Sequence, residues 1–141
     1  MTEFSRVFID TAPLIYFLEQ NPQYHNKVKF FIEKCCEEEV EIISSTITIE
    51  EYCVFPYRKN DLELIRKMDE FIEDMGIELV NIDIAIAKKA AEIRGMFKDF
   101  KAMDALQLAA ASLNNCDLFL TNDKQLKQFK EIKCITVDEL V

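Results

Sequence analysis

Arg6-Val7-Phe8-Ile9-Asp10-Thr11-Ala12-Pro13 reads as a short buried strand that ends in an acid and runs straight into a helix. Val7, Phe8 and Ile9 form a continuous apolar run, as in a strand covered on both faces. Pro13 suits the first turn of a helix, where no amide hydrogen is needed, and Thr11 is a candidate cap. Asp10 has a plain role open to it as a helix cap. It also stands where a charge costs desolvation energy unless it is paired or binds metal.

The same alternation continues outward from this stretch. Residues 6–10 are the strand and 12–19 the helix. Val28, Phe31, Ile32 and Cys35 recur at spacings of three and four, which predicts a helix over 24–38. A strand at 41–44 leads into a helix capped by Ser45 or Thr46, which Pro56 ends or kinks. Leu62, Ile65, Met68, Phe71 and Ile72 form the stripe of a helix over 61–75. Then come a strand at 78–82, a helix over 84–97 capped by Asp83, and a helix over 102–114 with a small-residue face. A strand at 118–121, a helical turn at 124–129 and a strand at 133–137 complete the order. Strands separated by helices predict an α/β domain whose parallel sheet is covered on both faces. There is no repeat, linker or low-complexity segment, so residues 1–141 read as a single domain.

Composition removes several function classes. Two glycines leave no glycine-rich phosphate loop. The five cysteines, Cys35, Cys36, Cys53, Cys116 and Cys134, are odd in number and lack a C-x-x-C pair. They read as reduced, mostly buried small hydrophobes of a cytosolic protein rather than a disulfide framework or zinc site. No apolar run approaches a membrane span, and no secretory signal stands at the start. His25, the single histidine, reads as a surface helix residue. The net charge of −9 opposes a polyanionic ligand unless the acids lie away from the site or are neutralised by metal.

Three further acids stand in settings like that of Asp10. Asp104 interrupts Lys101-Ala102-Met103-Asp104-Ala105-Leu106-Gln107-Leu108-Ala109-Ala110-Ala111. It shares a helix face with Leu108, which turns it toward the sheet rim, and it is where the deepest burial is expected. Its plainer role is to favour the helix N-terminus. Asp123 follows Leu118-Phe119-Leu120-Thr121-Asn122 and also suits a turn. Glu51 competes with Glu50: Ile47, Glu51 and Val54 share one helix face, Thr46, Glu50 and Cys53 another. If the four acids converge, each pair at ~4–5 Å repels by roughly 3–4 kcal/mol at an effective dielectric near 20. A hard cation such as Mg²⁺ or Mn²⁺ relieves that repulsion with oxygen ligands, and polarises a phosphoryl oxygen or activates water. With no histidine base in motif context, metal-assisted phosphodiester hydrolysis is the chemistry expected.

Four stretches together resemble the PIN-domain family, and within it the VapC-type ribonuclease toxins. They are Val7-Phe8-Ile9-Asp10-Thr11-Ala12-Pro13-Leu14-Ile15, Ser44-Ser45-Thr46-Ile47-Thr48-Ile49-Glu50-Glu51, Met103-Asp104-Ala105-Leu106-Gln107-Leu108-Ala109-Ala110 and Phe119-Leu120-Thr121-Asn122-Asp123. The resemblance implies a three-layer α/β/α sandwich around a mainly parallel sheet. It implies that Asp10, Glu51, Asp104 and Asp123 are the catalytic, metal-binding quartet, with Mg²⁺ or Mn²⁺ as cofactor. It also implies cleavage of RNA, a homodimer and a cognate antitoxin. The family's spacing to a following proline and arginine fits Glu51, with Pro56 and Arg58, better than Glu50. Phe55 departs from the small residue usual before that proline.

On this reading Asp123 completes the site directly or through water, and Thr121, Asn122 and Ser45 orient waters or ligands. Arg58, Arg94, Lys98 and Lys101 are candidate RNA phosphate contacts. The main rival is a non-catalytic PIN-like module that binds RNA or protein, against which the intact quartet argues. An aspartyl-phosphate enzyme would want a second aspartate two residues after Asp10, where Ala12 stands.

Overall fold

A computed structural model of the chain describes residues 4–140. Its centre is a five-stranded sheet in the order β3-β2-β1-β4-β5, with every neighbouring pair parallel. The strands are β1 (Arg6–Ile9), β2 (Glu41–Ser45), β3 (Glu78–Val80), β4 (Leu118–Thr121) and β5 (Lys133–Thr136). The helices are α1 (Thr11–Leu18), α2 (His25–Glu37), α3 (Thr46–Arg58), α4 (Leu62–Asp74), α5 (Ile84–Met96) and α6 (Ala102–Leu113). Lys124–Gln128 and Val137–Glu139 form short 3₁₀ turns.

Strand alternation sorts the core into two layers. Val7, Ile9, Ile42, Leu118 and Leu120 pack with Leu14 of α1, Val28 and Ile32 of α2 and Phe71 of α4. Phe8, Ile43 and Phe119 face the other way, onto Ile86, Ala90 and Ile93 of α5 and Ala105, Leu108 and Ala109 of α6. Phe8 and Phe119 stack, with ring centroids 5.2 Å apart. Both faces of the central strands are therefore dry, and their apolar runs have no polar alternation because no face meets water. The result is the expected three-layer α/β/α arrangement.

Several local expectations need correction. Asp10, not Thr11, caps α1, by accepting from the Thr11 amide. Ser45 caps α3 through the Ile47 amide. Pro56 does not end α3, which continues to Arg58. A proline inside a helix loses its own N–H bond and crowds the carbonyl four residues back, yet the helix runs through it here. The Pro56 carbonyl still accepts from the Asp61 amide at 2.8 Å, and its ring is buried while Phe55 and Tyr57 project outward. The third strand stops at Val80. His25 is not a plain surface residue: its Nδ1 lies 2.9 Å from the Phe17 carbonyl and its ring stacks on Phe17. All five cysteines are free, but only Cys35 and Cys116 are buried, and Cys36 is exposed.

Candidate active site

The sheet order places a topological switch between β1 and β4, since the chain moves outward from β1 to β2 and β3 before returning beside β1. Ligand crevices in open α/β sheets form beyond strand carboxyl ends at this point. Asp10 follows β1 directly, and its amide extends the ladder to the Leu120 carbonyl at 2.9 Å. Asp123 lies just past β4. Glu51 comes from α3, which starts at the end of β2, and Asp104 from the first turn of α6. Together with Thr11, Tyr16, Thr121 and Asn122 they line an open cleft of about 390 Å³.

Asp10 is the most buried of the four, 8% exposed, which corrects the expectation for Asp104. Its Oδ1 accepts from the Thr11 amide at 2.9 Å and from Gln107 Nε2 at 3.3 Å, and its Oδ2 from the Thr121 hydroxyl at 2.8 Å. Burial pushes its carboxyl up to about 6; the Thr11 and Thr121 bonds oppose this, and the charges of Asp104 and Glu51 add to it. Asp104 is half-buried. Burial raises its pKa, as do Asp123 and Glu51, while Lys101 lowers it. No cation of the chain forms an ion pair with either acid among the described residues. Like charges are thus held together in one crevice, the arrangement that marks functional carboxylates.

Glu51 reaches the cleft at its solvent side and accepts from the Thr11 hydroxyl at 2.6 Å. The helix-face reasoning behind it was incomplete: Ile47 is buried but Val54 is exposed. Glu51 is placed by Thr11 and by the start of α3, whereas Glu50 does not line the cleft. Asp123 combines two roles. Its Oδ1 accepts from the Gln125 amide at 3.0 Å, capping the following turn, and it lines the cleft.

The other expected residues divide. Thr121 bridges two acids, donating to Asp10 and accepting from the Asp123 amide at 3.2 Å. Asn122 donates to the Tyr16 hydroxyl at 2.6 Å, so it shapes the cleft wall. Ser45 is fully buried behind the site, bonded to Gln107. Arg58, Arg94, Lys98 and Lys101 are exposed and none lines the cleft; Lys101 alone acts on it, through Asp104.

Sequence reasoning missed the polar layer beneath the acids. Ser44 donates to the Ile9 carbonyl at 2.8 Å and accepts from the Thr48 hydroxyl at 2.8 Å, and Gln107 donates to Thr48 at 2.9 Å. The Thr11 and Thr48 hydroxyls lie 3.3 Å apart. The available signal was a polar Gln107 inside an otherwise apolar helix segment, three residues after Asp104.

The donor chemistry suits a hard divalent ion: all four side chains offer carboxylate oxygens and no sulfur or imidazole intrudes. Among the described residues no three or more His, Cys, Asp or Glu side chains lie close enough together to hold a metal ion as they stand. The fit is to an open site of the kind in which water supplies part of the coordination.

Comparison with known proteins agrees with this layout. The family model described as "PIN domain" matches residues 7–132. Solved structures with the same fold include FitAcB from Neisseria gonorrhoeae, at TM-score 0.77 and 19% identity, covering 95% of this chain and 99% of that one. A toxin–antitoxin complex from Klebsiella pneumoniae aligns at TM-score 0.70 and 20% identity, over 93% and 97% of the two chains. The sarcin–ricin-loop-cleaving toxin VapC20 of Mycobacterium tuberculosis aligns at 0.68 and 12%, over 90% and 98%. No curated protein matches by sequence.

Proposed function

Because the chain belongs to the PIN domain family, we propose that it is a metal-dependent endoribonuclease and the toxin of a toxin–antitoxin pair. The observation that carries this reading is the convergence of Asp10, Glu51, Asp104 and Asp123 on one open cleft, with no ion pair to any of them among the described residues. Asp10, Glu51 and Asp104 would hold Mg²⁺ or Mn²⁺, with Asp123 completing the set directly or through water. When bound, such an ion supplies Lewis-acid polarisation of a phosphoryl oxygen and activation of water.

The chain's own residues prepare for that chemistry. Thr121 and the Thr11 amide fix both oxygens of Asp10, and the Thr11 hydroxyl fixes Glu51. Carboxylates held this way need little reorganisation on binding, which is how outer hydrogen bonds tune a metal site. The cleft is open to solvent, with Asp10 buried in it, Asp104 and Asp123 half-buried and Glu51 exposed. Without a cation the same charges repel a phosphodiester, so activity should depend on metal absolutely. His25 takes no part, since it lies on α2 against Phe17.

RNA is the proposed substrate, and exposed Arg58, Arg94, Lys98 and Lys101 remain proposed contacts for its flanking phosphates. A homodimer and a protein antitoxin are the proposed partners; the solved toxin–antitoxin complex with this fold supports the second. The site of action is proposed to be the cytoplasm. Among the described residues no helix is long and apolar enough to cross a membrane.

The test is cleavage of RNA by purified protein with Mg²⁺ or Mn²⁺ and with EDTA. Cutting with metal and none in EDTA is expected. Undiminished cutting in EDTA would exclude the metal mechanism, and RNA bound but intact with either ion would favour a binding module.

A further inference from the structure

Gln107 is 1% exposed, in a helix segment otherwise built of alanine and leucine. A buried primary amide must satisfy two donors and an acceptor, and this one does so across three elements. Its Oε1 accepts from the Ser45 hydroxyl at the end of β2. Its Nε2 donates to Thr48 Oγ1 on α3 at 2.9 Å and to Asp10 Oδ1 beyond β1 at 3.3 Å.

The direction of the amide is determined by its neighbours. Ser45 Oγ accepts from the Ile47 amide at 3.1 Å, which leaves its proton for Gln107 Oε1. Turning the amide over would set Oε1 against the Asp10 carboxylate. Thr48 is fixed in turn: it accepts from Gln107 and donates to Ser44, whose own proton goes to the Ile9 carbonyl. Thr11 gives its one proton to Glu51 at 2.6 Å and Thr48 gives its own to Ser44, so the 3.3 Å approach of the Thr11 and Thr48 hydroxyls is a contact of two oxygens. One buried network therefore joins Asp10 to Ser44, Ser45 and Thr48 through Gln107, its member from α6, while Thr11 ties Asp10 to Glu51 through its amide and its hydroxyl.

Gln107 and Asp104 are three residues apart and share a side of α6. A bond from Gln107 to Asp10 thus fixes the rotation of α6 against β1, and with it the direction of Asp104. Packing gives no reason for an amide here. Leucine fills a similar volume, and burying polar atoms costs stability unless every bond is made.

Resting on the metal-dependent reading above, we propose that Gln107 is a positioning residue of the site: its amide orients the Asp10 carboxylate toward the cation and ties it to the helix that presents Asp104. Gln107 touches no reacting atom and acts through Asp10.

The experiment is isothermal titration of Mn²⁺ into wild type, Gln107→Leu, Gln107→Asn and, as a packing control, Ile93→Val, each first shown to be folded. Gln107→Asn keeps an amide for the buried hydroxyls but falls one methylene short of Asp10. Both Gln107 variants should bind Mn²⁺ roughly 10-fold or more weakly, the usual cost of losing an outer partner of a ligand, and Ile93→Val should match wild type. At saturating Mn²⁺ the Gln107 variants should recover most of their RNA cleavage. Wild-type affinity in either folded Gln107 variant would overturn the proposal, as would an equal loss in Ile93→Val. Wild type that binds no Mn²⁺ would instead remove the metal-dependent reading on which the proposal rests.

Discussion

The two ends of the parallel sheet hold acids in opposite ways. At the end where strands begin, Asp117 accepts from the Ser5 amide at 2.9 Å, the Arg6 amide at 3.2 Å and the Ser5 hydroxyl at 3.0 Å. Arg6 pairs with Glu41 and Glu78 and donates from Nε to the Asn114 carbonyl at 2.9 Å. Burial works against the Asp117 charge, but these donors outweigh it and its pKa is lowered. At the end where strands finish, Asp10 has three donors and still sits raised, at about 6, because it is deeply buried and faces other acids. One end spends its charges on joining β1, β2, β3 and the approach to β4. The other keeps them in excess around a cleft. Excess like charge at a strand-end crevice is unfavourable for the fold by itself, and such an arrangement marks functional carboxylates.

The largest effect expected from this contrast is on catalysis. Glu51→Gln should lower RNA cleavage by more than the roughly 10–100-fold that loss of an outer-shell partner costs, while Glu50→Gln leaves it close to wild type. Initial rates at fixed Mn²⁺ decide this. A greater loss at Glu50 would mean that the cleft described here is not where the reaction occurs.

A smaller effect, of opposite sign at the two ends, is expected in stability. In EDTA at pH 7, Asp10→Asn should melt higher than wild type. The raised carboxyl, 3.8 to about 6, sets a ceiling of about 3 kcal/mol on the gain, at about 1.4 kcal/mol per pKa unit. The new amide is accommodated: its oxygen replaces Oδ1, and its N–H group can donate to Thr121 once that hydroxyl turns. Each kcal/mol corresponds to roughly 2–4 °C in a domain near this size. Mg²⁺ should raise the melting temperature of wild type more than that of the variant, since only a ligand-competent native state gains binding energy. A lower melting temperature for Asp10→Asn in EDTA would show that capping α1 outweighs the repulsion.

The smallest effect separates the two ends by pH. Without metal, folded Asp10 binds its proton more tightly than the unfolded chain does. Between about pH 4 and 6 the native state therefore holds more protons, and this contribution to stability falls as pH rises. Asp117 runs the other way: its stabilisation is present above the ordinary carboxylate range and is lost as pH falls through its lowered value. Because Asp117 is exposed, its share should stay below about 1 kcal/mol. Urea melts across this range in EDTA should show the Asp10 slope vanish in Asp10→Asn and persist in Asp117→Asn. A slope unchanged in both variants would place the titrating group elsewhere.

Only the acid-rich end of this contrast was legible in the chain. Apolar runs such as Val7-Phe8-Ile9 and Leu118-Phe119-Leu120 mark strands dry on both faces, and acids that directly follow them stand out against their surroundings. Asp83 ahead of Ile84 signals its cap, which the structure makes at 2.9 Å to the Ile86 amide. Other features were hidden for specific reasons. Pro56 suggested a break in α3 because the lost N–H is visible in sequence and the burial of its ring is not. Val54 suggested a buried face for Glu51, yet α3 leaves that side open to water.

What sequence determines by itself here is periodicity, and with it the order of elements, the two-faced sheet and the positions of three acids at or near element boundaries, with Glu51 inside α3. These follow from local chemistry: which residues repeat at two or three-and-a-half, which can cap, and which cannot be buried without reason. Tertiary structure alone decides which acid is deepest, which neighbours restrain it and which cations stay away. Asp10 outranks Asp104 in burial because α1, α6 and β4 close around it, and Gln107 gains a role because α6 lies across the ends of β1 and β2. Electrostatic energy depends on distance and solvent exclusion between residues far apart in the chain, as Asp10 and Gln107 are, and neither quantity is written in local pattern.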